Sequence, residues 1–369
     1  MTGSLVRISF SVLMLFSLLG CDQTSEQQNM VEDYVWRLSN VLDQPFELDS
    51  VEVISYPDKR FLTLEFTDHS VDLLDFLAMT GCRLQITAAE RNSVLGRVMP
   101  YSQAFLYHWQ FIEESDECLD HLQNIDPELH QLLLNAARAK REELSRHYWL
   151  SVWVGPEMRS YFGATQQWLS PQQQVLLAPE VFQTFSTLAM FSRDISSRDI
   201  SESILDEQGK LGQPLRVANY REPLETSFGW LSRQSTGGQV LATLAGMTRL
   251  LNQGTNMLES DAAGRICPMG QVTPDARILH TVFTKFYIGR VQPYMSFLHQ
   301  EVGLWYEQQQ TLLETVSFDM PQAFEQFAMT NLDSNYQQGL WQSYQTAVRK
   351  HTLAWQSILK HCGLMPGSN

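Results

Sequence analysis

Two short polar runs have residue types able to do chemistry. Glu90-Arg91-Asn92-Ser93 places four polar groups in succession near the end of a helical run. Consecutive helical residues point in different directions, so at most two of them can line one site. Arg91 and Asn92 are the candidates for touching a ligand or partner, with Glu90 as a nearby counter-charge. The structural alternative has Arg91 tying helices together while Asn92 and Ser93 satisfy backbone groups at the turn near Gly96. The second run, Gly289-Arg290-Val291-Gln292-Pro293, interrupts a long helical pattern. Pro293 has no N–H to give the carbonyl of Gly289, and its ring crowds that turn. A carbonyl freed in this way can face a ligand beside Arg290, Gln292 and Tyr294; the plainer reading is a bend around the core.

His351 stands on an apolar helical stripe between Val348 and Trp355, where a hydrogen-bonded core histidine competes with a base or ligand. No histidine or cysteine pair has metal-ligand spacing, so no metal and no cofactor are expected. The chain lacks the Gly-x-Ser-x-Gly elbow, the His-Glu-x-x-His pair, the phosphate-cradling loop and the dinucleotide fingerprint. Neighbouring acids such as Glu113/Glu114 have the arrangement of a solvated helix face. A net charge of −15 excludes a nucleic-acid grip made by bulk charge. No catalytic residue is assigned, and enzyme activity is the less favoured reading.

The cysteines carry more. Ile8–Leu19 is almost unbroken apolar sequence behind Arg7, too short to span a bilayer but right for a secretory leader. Leu18-Leu19-Gly20-Cys21 looks like a bacterial lipobox, so residues 1–20 read as a signal peptide and Cys21 as the lipidation site. Residues 21–29 then form a polar tether. Several acyl chains on Cys21 satisfy what stable anchoring needs. Asp22 resembles the signal that retains such proteins at the inner membrane. That rule varies between bacteria, so the outer membrane stays open as well.

Four cysteines remain, and an oxidising periplasm favours two disulfides among three pairings. Cys82 precedes the run Arg83–Leu95, and Tyr101–Glu117 leads back to Cys118 after a turn at Gly96–Pro100. Pro274–Val316 and Pro321–His361 read as the equal arms of a second, longer hairpin. The expected pairs are therefore Cys82–Cys118 and Cys267–Cys362, each at the open end of an antiparallel pair.

Helical spacing dominates the elements that position these groups. Val31, Val35, Leu38 and Leu42 share one face, and Trp341, Tyr344, Val348, His351, Trp355, Ile358 and Cys362 share another. Val51–Tyr56 and Phe61–Phe66 are the candidates for a short β-hairpin or a docked extended segment, and a helix is expected at Val71–Met79. Residues 206–238, with five glycines and two prolines, read as an irregular loop between helical parts at 30–205 and 239–369. The expected fold is a mainly α helical bundle, continuous over 30–369, with a long antiparallel C-terminal hairpin and at most one short β-hairpin.

Asp75-Phe76-Leu77, Gly81-Cys82, Glu90-Arg91-Asn92-Ser93-Val94-Leu95-Gly96, Val291-Gln292-Pro293-Tyr294 and Cys362-Gly363-Leu364 together resemble a group of proteobacterial lipoproteins known only as a domain of unknown function. The resemblance spans nearly the whole chain after Cys21 and implies a Gram-negative envelope location without an activity. The resulting expectation is a lipid-anchored, periplasm-facing, non-enzymatic binding or scaffold module. Its partner would be another envelope protein or a cell-wall component. The alternative is an envelope hydrolase whose site is assembled from distant residues near Arg91 and Arg290.

Overall fold

Some helix starts in this chain are marked by side chains that accept first-turn N–H groups, those of Ser25, Asp126 and Thr273 among them. In a computed structural model, which describes residues 25–47, 55–66, 80–172, 179–197 and 216–365, Ser25 Oγ accepts from Gln28 N at 3.2 Å and opens α1, Glu26–Leu42. Glu26–Asn29, expected in the tether, therefore belong to a helix, because Ser25 caps it and Glu26 suits its first turn. Cys21, Asp22, the leader and the helix expected at Val71–Met79 lie outside the described residues.

After α2, Leu84–Asn92, and α3, Tyr101–Leu122, the Asp126 carboxylate accepts from Leu129 N at 3.0 Å to start α4, Pro127–Trp149. Cys82 and Cys118 meet with Cα atoms 5.2 Å apart, beneath a small apolar cluster that includes Leu84, Phe111 and Leu133. The second expected pair, Cys267 and Cys362, stands at 5.4 Å. Phe61–Phe66 forms no strand: a 3-10 turn at Lys59–Phe61 leads into extended backbone. Just before that turn, Tyr56 stacks on Phe162 at 5.3 Å and donates to Trp153 O. Residues 55–66 thus dock as a turn and extended backbone rather than as a strand, and residues 51–54, the rest of the expected hairpin, lie outside the described residues.

The architecture is α throughout the described residues. α5 (Pro179–Ser197) and α6 (Val217–Leu231) precede α7 (Thr236–Leu258). α6 and the start of α7 correct the loop expected over 206–238 from residue 217 onward, while residues 206–215 lie outside the described residues. Val217, Tyr220, Leu224, Phe228 and Leu231 recur at helical spacing and bury one face, which outweighs the internal Pro223 and Gly229. α8 is one long rod built of Pro274–Val282, a π-helical stretch Phe283–Val291, and Gln292–Leu313. α9 (Gln322–Asn331) and α10 (Leu340–His361) complete the bundle.

The equal-armed hairpin is thus corrected too. The second arm breaks over 332–339, where Asp333 caps a turn and Gly339 re-enters the helix, and α10 packs most closely on α7. It still runs back along α8, with Tyr287 opposite Thr352 and Met295 opposite Tyr344. One main core takes side chains from Val31 through Cys362.

A polar staple joins α1, α7 and α10 inside that core. The Thr255 hydroxyl donates to Leu251 O at 2.7 Å, which leaves its oxygen to accept from His351 Nδ1 at 3.1 Å. His351 Nε2 then accepts from the Tyr34 hydroxyl at 2.5 Å, and Trp355 Nε1 donates to Tyr34 Oη at 2.7 Å. Every proton has one destination, so the buried ring is held neutral in a single tautomer. His351 is a satisfied core residue. Gly254 makes room for it: a Cβ there would lie 2.8 Å from His351 Cε1. Gly254→Ala should therefore destabilise the protein by about 1 to 3 kcal/mol despite its better helix propensity. Urea unfolding measures this, and an unchanged or higher midpoint would show that the ring is not locked.

Candidate functional site

The structure separates the two polar runs. Glu90 and Asn92 are exposed, while Arg91 donates to Gly96 O and lies over the Tyr107 ring at 5.8 Å. Ser93 Oγ accepts from Gly96 N at 3.1 Å and donates to Glu90 O at 2.7 Å. These contacts close the turn between α2 and α3, which is the structural role for Arg91 and Ser93.

Behind Arg91 stands a cluster that the sequence does not announce. His108 of α3 stacks on His147 of α4 at 3.7 Å, and Phe66 covers His147 at 4.2 Å. Lys140 Nζ donates to His108 Nδ1 at 3.1 Å and lies over Phe111 at 4.9 Å. Burial, reinforced by the Lys140 charge, depresses His147 to about 3 and drives His108 further down. Burial likewise lowers Lys140 to about 8 and pushes Tyr107 up to about 12. The two rings are neutral at neutral pH, and His108 acts as acceptor for a lysine ammonium. This is a packed joint between α3 and α4, and the grooves that open on α8 do not include it. A histidine pair 39 positions apart has no local signal.

The second run lies where α8 changes its winding. Through Phe283–Val291 the helix is π, and Gln292 N–H reaches Tyr287 O, five residues back. Pro293 follows directly, in the first turn of restored α-helix, where the wider winding absorbs the missing donor. Buried Tyr294 donates to Leu169 O at 2.8 Å, a structural tie rather than a free contact group. Arg290 and Gln292 face different grooves on the two sides of this junction.

Arg290, Pro293 and Phe297 line a groove of about 680 Å³ against Glu26 and Asp33 of α1. The Arg290 guanidinium lies over Phe286 at 5.3 Å, and Asp33 pairs with Arg37 at 3.0 Å. Gln292 lines the other groove, of about 690 Å³, between α8 and α10. It exists because α10 is drawn against α7 and stands off from α8, leaving tyrosines to span the gap. Tyr287 reaches Thr352 Oγ1 at 3.0 Å from one side, and Tyr344 reaches Met295 O at 3.4 Å from the other. These two rings, with Met295 and Val348, make the floor, while Gln292, His299, Gln300, Gln345 and Arg349 form the rim. Val348, expected in the buried stripe, is half-exposed and lines this trough.

Among the described residues no group of three His, Cys, Asp or Glu side chains is placed to hold a metal ion. No helix among them is long and apolar enough to cross a membrane. The α8–α10 groove offers amides, hydroxyls, one guanidinium and an apolar floor, a set suited to holding a ligand. No curated protein and no solved structure matches the chain. Residues 31–366 match the family described as "Protein of unknown function (DUF3080)", and the chain belongs to that family.

Proposed function

We propose that this protein is a lipid-anchored, periplasm-facing component of a Gram-negative envelope that works by binding another envelope component, with the α8–α10 groove as its binding face. The observation that carries the reading is the character of that groove: it is open, and none of its lining residues forms an acid–base pair. The depressed histidines and Lys140 are instead locked in packing contacts elsewhere. The lipobox-like Leu18–Cys21 supplies the anchor, and Asp22 favours the inner membrane. A hydrolase built from Arg91 and Arg290 has less support. Arg91 closes a turn, whereas Arg290 lies in a groove beside Glu26 and Asp33.

The test is affinity capture from solubilised membranes with the anchor intact, comparing the native chain with Ser296→Trp, which fills the groove from an exposed position. A partner retained by the native chain and lost by Ser296→Trp is the expected result. Equal recovery by both would remove the groove from the reading. In parallel, Cys21→Ser should abolish lipid labelling and release the protein from membranes; unchanged labelling and retention would overturn the anchor.

A further inference from the structure

Resting on the groove as binding face, we infer that its ligand is an extended peptide segment bearing a carboxylate side chain, with that carboxylate on Arg349 and its backbone along the rim amides. Arg349 is exposed, and among the described residues no carboxylate pairs with it. Among the described residues no acid lines the groove, whereas Glu26 and Asp33 line the groove on the other side of α8. On a chain of net charge −15, this trough is a local exception where an acidic ligand meets only a cation. The guanidinium fork also matches a carboxylate in geometry.

The amides identify the rest of the ligand. Gln292, Gln300 and Gln345 each present a donor and an acceptor to the rim. An extended backbone offers the same alternation of N–H and C=O groups. Met295 and Val348 give one apolar side chain a shallow seat. A sugar is the poorer fit, because it needs an open aromatic face. Tyr287 and Tyr344 are buried and span the gap with their hydroxyls engaged, and His299 covers Trp341 at 5.9 Å.

The full chain labelled with ¹³C at methionine methyls reports on this directly, with the Met295 signal assigned through Met295→Leu. The probes are acetyl-Ala-Ala-Glu-Ala-Ala-amide and its Gln counterpart. The Glu peptide should shift the Met295 signal saturably, and the Gln peptide should bind about fivefold more weakly, as suits an exposed ion pair. Arg349→Gln should make the two equal. Equal affinities for the native protein, a preference that survives Arg349→Gln, or no shift with either peptide would each overturn the inference. A disaccharide of N-acetylglucosamine that saturates the Met295 signal at lower concentration would also overturn the peptide class. That result would leave the groove standing as a binding face, which the Ser296→Trp capture decides separately.

Discussion

Cys267→Ala together with Cys362→Ala should lower the unfolding free energy by about 4 to 5 kcal/mol, the largest effect expected from any single bond in this fold. The bridge spans a separation of 95 residues, against 36 for Cys82–Cys118. Loop-closure entropy grows with the logarithm of that length, to about 4.7 kcal/mol for the longer loop and about 3.8 kcal/mol for the shorter. The longer bridge also has more to hold. It ties the loop before α8 to the end of α10, where His361 Nε2 donates to Cys267 O at 3.1 Å. The Gly363 backbone there turns left-handed, and Leu364 N–H reaches Leu359 O at 2.8 Å. Urea unfolding of the two double variants measures the difference, and peptide mapping under non-reducing conditions checks the pairing. A Cys82–Cys267 or Cys118–Cys362 linkage, or a larger loss from the shorter bridge, would contradict the structure.

Acidification from pH 7 to pH 5 should be the second large destabiliser. Burial holds His351 down at about 3, against an unfolded value near 6.5. A group whose folded pKa is depressed in this way leaves the unfolded chain binding more protons below pH 6.5. Stability is therefore full above that value and falls as pH drops toward 3. For His351 alone the loss between pH 7 and pH 5 is about 2 kcal/mol. His108 and His147 act in the same direction, with a smaller share because water reaches the edges of both rings. Lys140, lowered to about 8, stays charged through this window and adds nothing. Glu113, Glu157 and Glu301, each raised by burial, oppose the trend because they take up protons more readily in the folded state. Among the described residues no charged side chain enters the staple around His351, whose ring meets Tyr34, Thr255, Tyr287 and Trp355. His351→Gln should be less stable at pH 7 yet lose about 2 kcal/mol less on acidification. A native urea midpoint that holds or rises at pH 5 would show that the histidines protonate without unfolding.

The sequence by itself determined the α class, because an amphipathic helix announces itself within about a dozen residues: Val31, Val35, Leu38 and Leu42 lie on one face whatever they pack against. It also carried the cysteine pairing, since the turn near Gly96–Pro100 and the return of the chain after Pro321 bring the right cysteines level. Tertiary structure decided what depends on register between distant elements. The stripe on α10 was legible, but its preference for α7 over α8 was not, and that choice opens the groove and half-exposes Val348. Gln292 and Arg290 were legible as polar groups beside a proline. Two positions apart on a helix they point to nearly opposite sides, but that each side opens into a groove depends on where α1 and α10 pack. The stack of His108 on His147 and the wiring of His351 to Tyr34, 317 positions away, arise only when folding has brought the helices together. Periodicity is a property of neighbours along the chain, whereas a groove, a staple or a shifted pKa belongs to neighbours in space.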